Sequence, residues 1–437
     1  MRKSSFPGAY FLFGSGHQHS LLLFVIIFSS LTSNNLKGQN IGIGTPTPLA
    51  KLHVVNNSVA FSATGIAPDT FSLAPLTGAG RRMLWFAEKG AFRVGYVADT
   101  RWDGPNVGKY SFASGNNTIA EGESSVAMGF GSYAVGPQCV ALGNNTVASG
   151  SSSVALGSGT ATFFTAATAM GFNTEAFGDY STAMGFESSA TANSSTAMGH
   201  QTKASGVYST AMGDNTEASA IYSVAMGTFA KANNASAIAI GDNVTASGTN
   251  SIALGSYVST SGFTGSLTIG DNSTTTVMST FVANGFRARF AGGYRLFTNS
   301  DANVGAFLNA NANSWAALSD VRKKENFLPV NGEAILNKIA AMPQYTWNYI
   351  GQDAKTLRHY GPMGQEFYKA FGHDALGEIG CDTLINQQDF LGVNFIAIQA
   401  LEKRTEEIKE LKEMIVAMKK EIDELKKEKA IRPRKLH

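Results

Sequence analysis

The sequence is poor in charge, in cysteine and in long apolar runs, and each shortage excludes a class of protein. Only 15% of the residues are charged and the formal net charge is +2, so the overall charge of the protein does not favour a nucleic-acid partner. Two isolated cysteines, Cys139 and Cys381, do not make a disulfide framework. The seven histidines are scattered without ligand spacing. We therefore expect no metal site and no cofactor.

The apolar runs are too short for a membrane span. Arg2 and Lys3 precede the run from Leu21 to Phe28, which is the pattern of a secretory signal peptide. A run of this length cannot cross a bilayer as a helix, and no later segment contains eighteen apolar residues. We predict a signal peptide at residues 1–38, cleaved near Gly38 and Gln39. The mature protein is then expected to be secreted or on the cell surface, with no membrane span.

Glycine, by contrast, is abundant and regularly spaced. From residue 115 to residue 255 a glycine recurs every fourteen residues, and an alanine stands two positions before each one. The glycines are Gly115, Gly129, Gly143, Gly157, Gly171, Gly185, Gly199, Gly213, Gly227, Gly241 and Gly255. A strict period over about 140 residues predicts a solenoid, because each unit buries its apolar side chains only by stacking on its neighbours.

Alternation within one unit predicts how each coil is built. In a strand, Val126 and Met128 share one face, and Ser125 and Ala127 share the other. We predict that the larger apolar face lies inside the coil, that the small face meets another chain, and that glycine permits the turn. A second alanine, five residues after most of the glycines, predicts a second short strand per unit. Cys139 stands where other units carry serine or alanine, so it fills a small site.

The unit S-x-A-[ML]-G with its second alanine, over residues 111–270, resembles the head repeats of trimeric autotransporter adhesins. The resemblance implies a homotrimeric left-handed β-roll. It also implies adhesion to a surface ligand such as a glycan or a matrix protein. The alternative is that the repeats serve only as a spacer.

Two β-rich regions flank the repeats. Residues 39–110 form an N-terminal β region with strand candidates at 41–43, 51–55 and 78–99, and residues 271–318 form a β-rich connector with candidates at 276–278 and 286–297. The N-terminal region contains residues typical of carbohydrate sites: Arg81, Arg82, Trp85 and Trp102. Such residues are more often strand-surface and interface residues, and we favour that interpretation.

Residues 319–425 resemble the endosialidase-type intramolecular chaperone, a C-terminal trimerisation domain of phage tailspikes and fibres, and we place the domain itself at residues 319–400. The resemblance rests on ordered matches: Ser319-Asp320-x-Arg322-x-Lys324, a helix candidate at 332–340, Gly361-x-x-x-Gln365-Glu366, and a terminal helix beginning near Gly392. A strand candidate at 345–349 lies between them. Lys323 and Gly364 depart from the usual pattern.

The resemblance implies that this domain assembles three chains and then cuts itself off between Leu318 and Ser319. Ser319 is then the nucleophile on its own preceding carbonyl, and Lys324 is the base, provided that desolvation favours its neutral amine. His359 is expected as an accessory group. The alternative interpretation is that Ser319 and Asp320 cap a helix and that residues 322–324 form a solvated charged face.

The C-terminal residues have the spacing of a coiled coil. The heptad positions are Leu401, Ile408, Leu411, Ile415, Met418, Ile422 and Leu425. Isoleucine at a with leucine or methionine at d favours two strands, whereas the trimeric resemblances favour three. We predict a coiled coil at residues 401–428 and a basic tail at 429–437.

The predicted fold class is thus mainly β: a homotrimeric left-handed β-roll of 14-residue repeats, followed by a mixed α/β chaperone domain that ends in a coiled coil. The predicted function is a secreted, trimeric, adhesive surface protein that assembles through its C-terminus and releases it by single-turnover serine autoproteolysis. The alternative is a non-cleaving spacer or binding module with a purely assembling C-terminus. An enzyme for other substrates is disfavoured, because residues 40–300 contain no catalytic cluster.

Overall fold

The computed structural model describes residues 40–68 and 74–431. The predicted signal peptide, residues 1–38, lies outside the described residues. The chain divides into two compact units between Arg289 and Phe290, called here the solenoid unit and the C-terminal unit. The fold is mainly β, with a β-solenoid followed by a few helices, as the repeat predicts.

Each regular coil of the solenoid contains one long and one short strand. Equivalent strands of successive coils pair in parallel at an offset of fourteen residues, for example Ala183 with Ala197 and Gly185 with Gly199. The long strands are Phe112–Asn116, Val126–Phe130, Val140–Asn144, Val154–Ser158, Thr168–Phe172, Thr182–Phe186, Thr196–His200, Thr210–Asp214 and Val224–Thr228. The short strands are Ile119–Ala120, Tyr133–Ala134, Val147–Ala148, Ala161–Thr162, Glu175–Ala176, Ser189–Ala190, Lys203–Ala204, Glu217–Ala218 and Lys231–Ala232.

The parallel ladder continues beyond residues 111–270 on both sides. It begins with a hairpin of Gly80–Phe86 and Ala91–Val97, whose second strand pairs in parallel with Phe112–Asn116. Later strands complete it: Ile238–Ala246, Ile252–Ser259, Leu267–Gly270, Met278–Ser279 and Phe286–Arg289. A separate parallel pair, Ile41–Ile43 with Leu52–Val54, precedes the ladder, and 3-10 helices occur at Ala87–Lys89 and Gly104–Asn106. The fourteen-residue period therefore marks only the regular middle of a longer stack.

The inside of the coil is lined by small side chains, and our prediction for the two faces is wrong. Ser125 and Ala127 have no accessible surface, whereas Val126 is half-buried and Met128 is 40% exposed. The long and short strands of one coil lie so close together that alanine, serine and threonine fill the space between them. The larger apolar face therefore points outward. It is the face left uncovered in a single chain.

The repeated glycines lie within the long strands, so the prediction that they form the turns is also wrong. Gly185 has φ +112°, and a Cβ there would stand 2.0 Å from the carbonyl oxygen of Gly199. Glycine is needed because adjacent coils approach this closely and because the φ disfavours other residues. The turns instead use non-glycine residues in the left-handed region, such as Asn145 at φ 52° and Tyr180 at φ 58°.

Near both ends of the ladder, arginine and tryptophan side chains donate hydrogen bonds to backbone carbonyls. Arg93 takes the inward position beside Ala113 and donates to the backbone carbonyls of Phe92, Ser111 and Ala120. Burial lowers the pKa of Arg93 to about 10. Trp102 is fully buried, and its Nε1 donates to the Thr118 carbonyl at 2.8 Å.

At the other end Arg289, in the last strand of the ladder, donates to the carbonyls of Ser256, Asp271 and Thr276. Side chains near both ends of the stack therefore donate to backbone carbonyls.

The described part of the C-terminal unit combines small antiparallel sheets with one 3-10 helix and three α-helices. Its strands are Gly293–Phe297, Gly305–Asn309, Ala316–Ala317, Tyr345–Trp347 and His359–Gly361. Its helices are the 3-10 helix Val321–Lys323 and the α-helices α1 (Gly332–Ala341), α2 (Gly364–Phe371) and α3 (Gln387–Ile431). None of the helices in the described ranges is long and apolar enough to span a membrane.

The helix and strand predicted at residues 332–340 and 345–349 are confirmed as α1 and Tyr345–Trp347. The terminal helix starts earlier than predicted, at Gln387, because the side-chain oxygen of Asn386 accepts the Gln388 amide at 2.8 Å. Helix α1 packs along α3, where Arg404 pairs with Glu333 and donates to Asn337.

Candidate functional site

Ser319 lies in an accessible stretch between a strand and a short helix. The chain leaves the strand Ala316–Ala317, passes Leu318, which is partly exposed, and reaches Ser319, whose residue surface is exposed. Asp320 follows as the N-cap of the 3-10 helix Val321–Lys323 and accepts the backbone N–H of Arg322 at 2.9 Å. The peptide bond between Leu318 and Ser319 is therefore not sealed within a core.

The short helix brings Lys324 back to Ser319. A 3-10 helix turns in about three residues, so a side chain just after it returns towards the residue before its cap. The Nζ of Lys324 donates to the Oγ of Ser319 at 2.8 Å. Both residues are exposed in the single chain. The structure thus places the predicted nucleophile and base at hydrogen-bond distance, without the desolvation that a lysine base requires.

Asp320 and Arg322 hold this turn. Their ion pair measures 2.7 Å from Nη2 to Oδ2, and the Nε of Arg322 contacts both carboxylate oxygens. Hydrogen bonds from the Arg322 side chain and then from its backbone N–H keep the pKa of Asp320 below its ordinary value. The helix-cap interpretation therefore applies to Asp320, and it is compatible with the contact between Lys324 and Ser319.

His359 belongs to a different cluster. It lies in the strand His359–Gly361, and its ring stands 4.7 Å from that of Trp347 and 5.7 Å from that of Tyr349, between centroids. In the described ranges no hydrogen bond or ion pair links it to Ser319 or Lys324. The accessory role of His359 stays a prediction.

Glu366, from the predicted Gln365-Glu366 motif, anchors α2 to the neighbouring strand. Its Oε1 accepts the Tyr345 hydroxyl at 2.9 Å, and this hydrogen bond raises the pKa of Tyr345. An open cavity of about 610 Å³ lies among the three α-helices, and it is lined by apolar side chains such as Phe367, Phe371 and Ile396 together with polar ones. The helices of one chain therefore leave an accessible groove between them.

The tryptophan and arginine residues of the N-terminal region are mostly structural. Trp102 is buried and offers no face to a ligand. Arg82 donates to the carbonyls of Leu76 and Gly78. Trp85 keeps a partly exposed ring. Among the described residues no group of three or more histidine, cysteine, aspartate or glutamate side chains could hold a metal ion.

Sequence reasoning missed a group of exposed tyrosines on the solenoid: Tyr180, Tyr208 and Tyr222. They share one turn position, because their spacings of 28 and 14 residues are multiples of the repeat. Searching the repeat for aromatic residues in the same register would have found them.

Two known protein families match different parts of this chain. The YadA head domain repeat matches residues 107–132, 134–160, 165–188, 190–216, 218–243 and 245–257. The Peptidase_S74 family, described as a chaperone of endosialidase, matches residues 319–375 and so begins at Ser319. A search of curated proteins finds no match to this chain. The matches to the YadA head repeat and to the endosialidase chaperone family occur in this order along the chain, as the sequence predicts.

Proposed function

We propose that this chain is a secreted, trimeric, adhesive surface protein whose C-terminal unit assembles three chains and then releases itself by cleavage between Leu318 and Ser319. The cleavage proposal rests on one observation above all, the contact of 2.8 Å between Lys324 Nζ and Ser319 Oγ. The family matches support the order of a displayed solenoid before an assembling module.

Uncovered apolar side chains support assembly. The outward column of the long strands carries Met128, Leu142, Leu156, Met170 and their equivalents, all left partly or largely accessible by one chain. The heptad residues of α3, such as Ile408 and Ile415, are about half exposed. Contiguous apolar surface of this kind marks an interface, and a second and third copy of this chain would cover both faces.

The proposed reaction is a single intramolecular acyl shift followed by hydrolysis. Lys324 accepts the proton of the Ser319 hydroxyl as Oγ attacks the carbonyl carbon of Leu318. The proton then passes to the Ser319 backbone nitrogen as the C–N bond breaks, which leaves an ester between Leu318 and the Ser319 side chain. Water hydrolyses the ester and yields a Leu318 carboxylate and a free Ser319 amine.

Assembly would supply the desolvation that the single chain lacks. Ser319 and Lys324 are exposed in one protomer. A neutral amine is favoured when a lysine is removed from water. Contact with neighbouring chains would therefore activate the base only after the trimer has formed.

The test is the mass of the secreted full-length chain. We expect two fragments, the second beginning at Ser319, and only intact chain for Ser319→Ala and Lys324→Ala. Lys323→Ala is the matched control, because this neighbouring lysine does not contact Ser319 in the described structure; it should cleave normally.

Intact unmodified chain would contradict cleavage and favour the alternative, an assembling C-terminus on a non-cleaving spacer. Light scattering of the uncleaved Ser319→Ala chain should give three times the chain mass, and a monomer would contradict the trimer.

A further inference from the structure

At one turn position, several coils of the solenoid carry a tyrosine in an unfavourable backbone conformation. Four successive coils place Tyr180, Ser194, Tyr208 and Tyr222 at the same turn position, with φ between 56° and 58°. The left-handed region costs an L-residue about 1 kcal/mol or more, and asparagine, aspartate and glycine tolerate it best. Other coils form the same turn with serine, glutamine or alanine at this position, so the turn does not need tyrosine, and its large side chain points to a role outside folding.

The rings form a stack with one open face. Tyr208 and Tyr222 stand 5.3 Å apart between centroids and are tilted by only 6°. Tyr222 therefore covers one face of the Tyr208 ring, and the other face points towards the coil of Ser194. Tyr180 lies in the coil beyond Ser194 and is 67% exposed. Ser194 thus leaves a gap, one coil wide, between two aromatic residues.

The width of this gap selects its occupant. Adjacent parallel strands are separated by about 4.8 Å, and the Tyr208 and Tyr222 rings, one coil apart, stand 5.3 Å apart, so two turn positions that are two coils apart are separated by about 10 Å. Carbon atoms in contact stand about 3.5–4.0 Å apart, so a flat aromatic ring between two tyrosines needs only about 7 Å. A puckered pyranose ring is thicker than an aromatic ring, because axial C–H groups project from its faces, and it fills the wider gap better.

We propose that Tyr180 and Tyr208 bind one neutral hexopyranose unit of a glycan, stacked between their rings above Ser194. The residues before the aromatic positions supply fixed polar groups. The side-chain oxygen of Asn193 accepts the Asp179 amide at 3.2 Å, and Asp179 Oδ1 accepts the Thr165 amide at 3.0 Å. The Asp179 carboxylate beside the gap favours a neutral sugar over an acidic one.

The variation of this turn position between coils indicates that it faces solvent. The outward long-strand columns are uniform: β-branched from Val126 to Ile252, and methionine, leucine or isoleucine from Met128 to Leu254. These uniform apolar columns are the surface that we assign to the interface between copies. The turn position instead holds Ser124, Gln138, Ser152, Ala166, Tyr180, Ser194, Tyr208, Tyr222, Ser236 and Asn250.

This inference rests on the proposed adhesive role of the solenoid and names its ligand class. The experiment uses the full-length secreted chain and saturation-transfer NMR with tetrasaccharides of glucose, galactose and N-acetylglucosamine. We expect transfer to at least one of these sugars. Ser194→Tyr should abolish it by filling the gap, and Tyr208→Ala should weaken binding roughly tenfold. Ser236→Tyr is the matched control, since it lengthens the stack beyond Tyr222 without filling the gap; it should bind normally.

Four results would overturn the inference. Three concern sugar binding: no transfer to any of the three neutral tetrasaccharides, full transfer to Ser194→Tyr, and transfer only to an acidic oligogalacturonate tested beside them. A fourth is a change of oligomeric mass in Tyr208→Ala with sugar binding unchanged, which would assign the tyrosines to an interface between chains. Light scattering and fragment masses are recorded on the same samples. Failure of assembly or cleavage is thereby distinguished from failure of sugar binding.

Discussion

In the solenoid unit the inward-facing alanine, serine and threonine side chains have almost no accessible surface, whereas in the C-terminal unit the most buried large side chains are Phe367 and Phe371, which retain 8–9%. The solenoid reaches complete burial with small residues because every coil is covered by the next. The C-terminal unit has an open cavity among its helices and leaves residues such as Tyr360 and Leu384 largely exposed. The interior of the solenoid is therefore completed within a single chain, although its outward apolar face is not, whereas the interior of the C-terminal unit is packed less completely.

The largest expected effect is that of Gly185→Ala, which tests whether the close stacking of the coils requires glycine. The added Cβ would stand 2.0 Å from the Gly199 carbonyl oxygen, at φ +112°. We expect a loss of about 3 kcal/mol or more in the free energy of unfolding, measured by urea denaturation. Gly262→Ala, at φ +81° with open space around it, should cost only ~1 kcal/mol. Equal losses in the two variants would show that close stacking is not the reason for the glycine.

For the C-terminal unit the corresponding test is Ile415→Asp. Ile415 occupies a heptad a position of α3, and a charge there would be buried in any coiled coil. We expect loss of the oligomer by light scattering and, with it, loss of the Ser319 fragment. Val416→Asp changes the more exposed neighbour outside the heptad seam and should leave the oligomeric mass unchanged. An unchanged mass for Ile415→Asp would remove α3 from the interface.

The two cysteines allow the difference in burial between the two units to be measured by chemical modification. Burial raises the pKa of Cys139 to about 11, and its Sγ contacts the Ala148 carbonyl. Cys381 is exposed, and hydrogen bonding with the Thr383 side chain lowers the pKa of its thiol. At pH 8 only about one Cys139 thiol in a thousand is ionised. Iodoacetamide should therefore modify Cys381 alone in the native protein and both cysteines in urea, as read by peptide mass. Rapid native modification of Cys139 would mean that the coils open.

The smallest effect concerns the threonines inside the solenoid. The Thr160 hydroxyl is buried without a hydrogen-bond partner, and the equivalent position six coils later holds Val244. Thr160→Val should therefore raise the free energy of unfolding by up to ~1 kcal/mol. Thr202→Val is the contrasting variant, because Thr202 donates to Ser188 Oγ at 2.9 Å, and it should lower stability. Thermal melts of both variants provide the comparison; a loss in Thr160→Val would reveal an unseen partner of the hydroxyl.

The sequence allowed the solenoid, its period and the order of the two modules to be predicted, because strict repetition leaves few alternatives to stacking. It did not reveal which face of the strand points inward. Alternation places Val126 and Ala127 on opposite faces of the strand, but it does not say which face points inward. That depends on how narrow the coil is. The usual rule that larger apolar residues lie inside failed because fourteen residues enclose room only for small side chains, mostly alanine, serine and threonine.

The candidate site was predictable for a different reason. Ser319 and Lys324 are five residues apart, so a single turn decides whether they meet, and Asp320 provides that turn. The tyrosine gap was not predicted, because it depends on the register between coils rather than on a local motif. His359 illustrates the same limit, since its neighbours Trp347 and Tyr349 come from another strand.

The hydrogen bonds of Arg289 have a consequence for the behaviour of the protein at high concentration. Arg289 lies in the last strand of the parallel ladder, and such an edge presents carbonyl and amide groups that recruit further strands into aggregates. Its guanidinium group occupies the carbonyls of Ser256, Asp271 and Thr276, which leaves fewer acceptors for an incoming strand. Replacing Arg289 would therefore be felt first as end-to-end fibre growth in the test tube, before any loss of the fold.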